Sequence, residues 1–136
     1  GHTDTVVSAL RMIEELDAGP LYLKRPLSLS GRAQDIYEAC ADIVFDMVDH
    51  IVRHDPKPVA QEGEPVLFER RRPAQSILPT EGSLEQLYNH IRMLDAEAYP
   101  PAVIDYGDWV LEFRNARITD KNLHADIQIK PKKDDS

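Results

Sequence analysis

Thr5-Val6-Val7-Ser8-Ala9-Leu10-Arg11-Met12-Ile13 is followed by the polar turn Glu14-Glu15-Leu16-Asp17-Ala18-Gly19-Pro20. The first stretch is apolar and rich in β-branched residues, and it predicts a buried strand over 5–13. Gly19-Pro20 is a strong breaker. Residues 21–29 alternate locally, with Leu21 and Leu23, then Leu27 and Leu29, and predict a second strand. Pro26 inside it donates no backbone hydrogen bond, which favours an edge or an interruption.

Beyond this pair the period changes. Ile36, Cys40, Ile43, Val44, Met47, Val48 and Ile51 recur in steps that mark one face of a helix from about Ala33 to His54. Ser28 or Ser30 is the expected N-cap. Asp55-Pro56-Lys57-Pro58 stops the helix. Glu38, Asp42 and Asp46 form an acidic stripe on another face, as a solvated surface does. Strand, strand and long helix give an α/β class.

Residues 55–82 hold five of the ten prolines and little periodicity. Val66-Leu67-Phe68 is a candidate short strand in this connection. Long irregular segments in compact domains are often functional. Ser83 and Gln86 then form a capping box. Leu84, Leu87, Tyr88, Ile91 and Leu94 continue on one helical face up to Tyr99-Pro100-Pro101. Trp109, Leu111 and Phe113 alternate with polar or flanking positions, as do Ala125, Ile127 and Ile129. The two runs predict a hairpin around Thr119–Asn122. The tail 132–136 is expected to fray. The expected organisation is 1–54, a proline-rich connection 55–82, and a helix and β-hairpin extension 83–136.

The chain has 136 residues, with 16 basic and 24 acidic side chains and a formal charge of −8. That balance disfavours non-specific nucleic-acid binding, which needs a basic footprint. The deficit is spread evenly: five basic and nine acidic residues in 1–54, eleven and fifteen in 55–136. Cys40 is the one cysteine, so no disulfide framework or multi-cysteine zinc site is expected. No apolar run approaches the roughly 18 residues that cross a bilayer, and no signal peptide is evident. No membrane partner and a cytoplasmic location are the expectations. The missing initiator Met and the abrupt start suggest the later part of something longer, although Gly1-His2 also reads as a cloned-tag remnant.

Four places are candidates for chemistry. Asp17 follows a strand, where open α/β sheets place ligands and catalytic carboxylates, although a turn-forming Asp is the commoner reading. Arg70-Arg71-Arg72 suits phosphate or carboxylate recognition, or else a solvated run balancing Glu62, Glu64 and Glu69. His50 and His54 have zinc-ligand spacing without a third ligand, so no metal is expected. Helix-end histidines are favoured by the macrodipole in any case. Cys40 lies on the apolar face as a core residue.

Gly1-His2-Thr3-Asp4-Thr5 before a strand, and Asp17-Ala18-Gly19 before the next, resemble the last catalytic motif of the folate-dependent formyltransferases, the superfamily of methionyl-tRNA formyltransferase. Arg72-Pro73-x-x-Ser76, the run from Tyr88 to Asp95 and Tyr99-Pro100 look more like its sugar branch, which formylates nucleotide-linked amino sugars. The resemblance spans Gly1 to about Ile129. It implies that residues 1–54 are the end of a Rossmann-like catalytic domain. It implies 10-formyltetrahydrofolate as formyl donor, bound mainly by a missing N-terminal half, and a nucleotide-linked amino sugar as partner. Asp17 matches the catalytic Asp of an Asn, His and Asp centre. Arg92 and Tyr99 would lie on the sugar-nucleotide side, and Arg70 and Arg71 would reach a pyrophosphate. The family's Asn-x-His motif is not in this stretch, so the chain alone is expected to be inactive. An incomplete sheet and an open helix face lead us to expect a homo-oligomer or association with the missing half. The alternative is a non-catalytic dimerisation or partner-binding module on the same scaffold.

Overall fold

The computed structural model describes residues 2–132. Gly1, which opens the Gly-x-Thr-x-Thr stretch, and residues 133–136 of the expected frayed tail lie outside the described residues. The chain divides into two compact units. One comprises residues up to Ser30 with Asp35–Phe68, and the other comprises Gly31–Gln34 with residues from Glu69 onward. The division falls inside the proline-rich connection.

In the first unit, β1 (Asp4–Leu10) pairs antiparallel with β2 (Leu21–Ser28), from Asp4 opposite Ser28 to Leu10 opposite Leu21. The expected strand over 5–13 is corrected in two respects. It ends at Leu10, where the register shifts, and it is not buried: Val6 is 51% exposed. A two-stranded hairpin has no neighbour to cover its second face. Pro26 is tolerated opposite Val6 because its strand has an open side. A backbone bridge between Leu21 and Val59 (2.7 and 2.9 Å) ties the connection to β2.

Helix α1 (Ala33–His54) occupies the range predicted from its apolar period. Asp55 follows at φ 44°, and Pro56 cannot continue the ladder. The N-cap expectation is corrected. Arg32 precedes the first helical residue, while Ser28 and Ser30 bond each other at 3.1 Å. Ile36 and Met47 are buried on the inner face, and Cys40 is half-buried. Tyr37, Val44, Phe45, Val48 and Val52 form an exposed apolar stripe along the helix. The acidic stripe is partly paired, with Arg25 Nε 3.7 Å from Asp46. Val66, Leu67 and Phe68 belong to no strand and are exposed, which corrects the candidate strand there. Apolar residues alone do not make a strand without a partner edge.

In the second unit, Pro73–Ser76 forms a 3₁₀ turn, and α2 spans Leu84–Arg92. Ser83 and Gln86 make the expected reciprocal cap, at 2.8 and 3.2 Å. β3 (Ala102–Tyr106), β4 (Trp109–Ile118) and β5 (Leu123–Pro131) form an antiparallel sheet in the order β3-β4-β5. The hairpin around Thr119–Asn122 is as predicted, closed by Thr119 N–H to the Asn122 carbonyl at 2.8 Å. Lys132, placed in the frayed tail, instead donates its N–H to the Asp108 carbonyl at 2.9 Å.

Phe113 shares one face of this sheet with Ala102 and Ile127 across the register. That face meets α2 around a core of Leu78, Ile91, Leu94, Ala102 and Ala116. Asp95, 4% exposed, accepts the backbone N–H of Asn115 at 2.7 Å and Arg114 at 3.2 Å. Asn115, at φ 51°, accepts from Arg32 at 2.9 Å and donates to Asp126 at 2.8 Å. One buried carboxylate therefore joins the turn after α2 to a kink in β4. The named strands pair only antiparallel, so the parallel sheet of a Rossmann-like domain is not contained in the described residues.

Candidate functional site

The Asp17 turn belongs to the first unit and connects antiparallel strands. Asp17 follows the carboxyl end of β1, as expected, and the described partner of that strand is the antiparallel β2. Other features distinguish it. Asp17 adopts φ 58°, a left-handed conformation that Asp tolerates better than most residues. Gly19 is buried, and a Cβ there would sit 1.7 Å from the Arg11 carbonyl oxygen. Only glycine fits against that backbone. The Gln61 amide donates at 2.8 Å to the carbonyl oxygens of both Asp17 and Gly19. Arg11 N–H donates to Pro20 O at 2.8 Å. The turn is held by its backbone at three points, while Asp17 itself is exposed. Such a carboxylate is positioned to orient a neighbouring imidazole or accept a proton.

In the second unit a shallow pocket of about 260 Å³ is lined by Arg70, Arg71, Arg72 and Pro73, with Ser76, Tyr99 and Pro100 opposite. The 3₁₀ turn brings these residues together. Arg72 N–H donates to Gln75 Oε1 at 2.6 Å, and the Arg71 guanidinium donates to the Gln75 carbonyl. Arg71 also lies 5.7 Å from the Tyr99 ring centroid, within cation–π range. Three guanidinium groups and an aromatic face suit an anionic group attached to a planar or apolar moiety.

Of the residues the sequence singled out, the structure joins Arg70, Arg71 and Tyr99. Arg92 is not among the lining residues of that pocket. Its Nε donates to Asn89 at 2.7 Å, its Nη1 donates to the Gly31 carbonyl at 2.7 Å, and it stacks near Tyr88. Arg92 thus has a structural anchor 61 residues away in sequence. On α1, the His50 and His54 rings stack 4.3 Å apart, and His54 Nδ1 lies 2.9 Å from its own helix's His50 carbonyl. Among the described residues no three His, Cys, Asp or Glu side chains are grouped to hold a metal. Among them, too, no helix is long and apolar enough to cross a membrane. Sequence reasoning missed Gln61 and Gln75. A glutamine in a proline-rich segment carries no local sign that its amide will clamp a distant turn.

Comparison with known proteins agrees on one family. Residues 73–130 match the family model of the methionyl-tRNA formyltransferase C-terminal domain. That match covers the 3₁₀ turn, α2 and nearly all of the three-stranded sheet. The chain is also similar to the methionyl-tRNA formyltransferase from Clostridium thermocellum, at 38% identity and a TM-score of 0.91 over 96% of this chain. It spans 58% of that relative's length. Both likenesses are therefore to methionyl-tRNA formyltransferase, over residues 73–130 in the first and across nearly the whole chain in the second.

Proposed function

We propose that this chain is the C-terminal part of an enzyme that moves a formyl group from 10-formyltetrahydrofolate to the amine of a nucleotide-linked amino sugar. The observation that carries the reading is the likeness to a formyltransferase across 96% of the chain. In the reaction the amine nitrogen bonds to the formyl carbon, and the carbon's bond to the folate nitrogen breaks. The amine loses a proton, and the departing folate nitrogen gains one. Asp17 is this chain's contribution to that proton traffic. It orients a histidine that, with an asparagine, the family resemblance places upstream of Thr3. A carboxylate beside an imidazole favours the protonated ring, which stabilises the tetrahedral oxyanion. The donor is held mainly by that upstream half. Arg70 and Arg71 take the pyrophosphate of the acceptor, with Tyr99 beside them. The reading places the enzyme in the cytoplasm.

A second acceptor is favoured by the names of the matched family and structure, both of which concern methionyl-tRNA. The charge of −8 and its even spread weigh toward the smaller acceptor. The test is formyl transfer by the protein carrying this chain together with its upstream half. Nucleotide-linked amino sugars and methionyl-tRNA are offered separately. Formylation of the sugar, with a loss of about 100-fold or more in kcat for Asp17→Asn, is the expected result. Transfer to methionyl-tRNA alone would replace the acceptor. An absence of transfer to either would leave the scaffold as a non-catalytic binding module.

A further inference from the structure

We propose that a cavity adjoining the arginine pocket is the nucleoside subsite of the acceptor, where His90 and Gln75 recognise a base that carries a ring N–H beside a carbonyl. The inference rests on the reading of the arginine pocket as the pyrophosphate site.

The cavity holds about 340 Å³ and is lined by Arg71, Gln75, His90, Met93 and Leu94. Arg71 lines the arginine pocket as well. Taken as one surface across that side chain, the two cavities reach the size usual for small-molecule sites. A diphosphate held by Arg70 and Arg71 therefore has a second space beside it, within the same unit. In the proposed reaction the amino-sugar end of the acceptor belongs with the reacting centre that Asp17 serves. The nucleoside is the end left to fill that space.

The wall of the cavity carries an unmet hydrogen-bonding group. His90 belongs to α2, and its Nε2 is buried with no hydrogen-bond partner among the described residues. Buried polar groups are nearly always paired, so an orphan beside a cavity marks a place for a ligand group. Gln75 is oriented as well. Its Oε1 accepts the Arg72 N–H at 2.6 Å, which leaves the amide nitrogen as the end that donates to a ligand. That donor calls for a carbonyl oxygen. His90, with its proton on Nδ1, accepts a ring N–H at Nε2. Uracil, thymine and guanine set a carbonyl and a ring N–H side by side, whereas adenine has no carbonyl. Leu94 is buried and Met93 is 42% exposed, and together they offer the base an apolar face. Unbranched Met93 adapts to a ring laid against it. The planar Arg71 guanidinium suits stacking on a ring as well as pairing with phosphate.

Calorimetric titration of the 136-residue chain at low salt tests the subsite, with uridine diphosphate, adenosine diphosphate and inorganic pyrophosphate as probes. The two nucleotides have the same ribose and the same charge, so their ratio reads the base alone. Uridine diphosphate is expected to bind about tenfold more tightly than adenosine diphosphate, the worth of one or two hydrogen bonds. His90→Phe keeps a ring in the wall and removes the nitrogen. It should abolish the preference while leaving pyrophosphate affinity unchanged. Met93→Trp, at an exposed position, should fill the cavity and weaken uridine diphosphate without affecting pyrophosphate. Circular dichroism confirms that each variant is folded. Adenosine diphosphate that binds as tightly as uridine diphosphate or more so, or a preference that persists in His90→Phe, overturns the subsite. Pyrophosphate binding that still depends on Arg71 would then leave the underlying reading in place. If pyrophosphate fails to bind as well, the anion site falls with the subsite.

Discussion

The side-chain amide of Gln61 donates to the carbonyl oxygens of both Asp17 and Gly19, each at 2.8 Å. A residue in an irregular, proline-rich connection thereby determines how the β1–β2 turn presents its carboxylate. Gln61→Ala should lower stability by about 1 kcal/mol, the usual net worth of such bonds. In the formyltransferase of the proposed function it should reduce kcat about tenfold while leaving KM nearly unchanged. Gln61→Glu should be no better, because its carboxylate cannot donate. Steady-state kinetics beside urea unfolding separate positioning from stability.

Gly19 tests the same turn from its backbone side. The atom a Cβ would meet is the Arg11 carbonyl oxygen, which cannot swing away as a flexible side chain would. Gly19→Ala should therefore cost more than about 3 kcal/mol, an overpacking penalty at the upper end of the usual range. Urea unfolding of the chain measures it. A loss under about 1 kcal/mol would mean that the turn can open without disturbing β1.

Asp95 is the electrostatic hinge of the second unit. Removing its carboxylate strands the Asn115 N–H and the Arg114 guanidinium, which are partly buried. Leaving such donors unsatisfied outweighs any gain from relieving a buried charge. We expect Asp95→Ala to cost about 2–4 kcal/mol and Asp95→Asn, which keeps an acceptor, roughly half of that. Urea midpoints compare the two.

Ile91, at 1% exposure, is the largest fully buried side chain among the described residues of that unit. Truncation to Ala loses transfer energy and opens a cavity, at about 2–4 kcal/mol. The effect should equal or exceed that of Leu94→Ala, since Leu94 is slightly less covered.

The arginine pocket can be probed on the chain by itself. Inorganic pyrophosphate should bind weakly to the chain at low salt, and more weakly as salt screens the guanidinium charges. Arg71→Ala should reduce affinity most, because Arg71 alone among the three pairs with both Gln75 and Tyr99. Arg71→Lys should restore only part of it, since an ammonium lacks the planar fork. Calorimetric titration reads these changes. Equal affinity in wild type and Arg71→Ala would show that the arginines face water only.

Several elements were legible locally. The apolar steps from Ile36 to Ile51 and the Asp55-Pro56 stop defined α1 at both ends, since periodicity and proline act within a turn or two. Ser83 and Gln86 announced α2, and alternation from Trp109 and from Ala125 announced β4 and β5. In contrast, β3 has only five residues after Pro100-Pro101, too few to show a period. The 3₁₀ turn that forms the arginine pocket has no periodicity either. Of the candidate site, Asp17, Arg70, Arg71 and Tyr99 were named from sequence. Asp17 does follow a strand end, but the left-handed turn and the Gln61 clamp that hold it were not legible.

What the sequence determined by itself is what depends on near neighbours: helix and strand type, caps, breakers and the charge balance. What only the tertiary structure decided is which distant groups meet. Burial of β1 was misjudged because exposure depends on whether another layer covers the strand, and a two-stranded hairpin has none. Arg92 was drawn to the Gly31 carbonyl and Asp95 to Asn115, and Gln61 reached back to Asp17 across the whole of α1. Backbone carbonyls and N–H groups are the same at every position, so no residue pattern reveals which of them a distant side chain will find once the chain is folded.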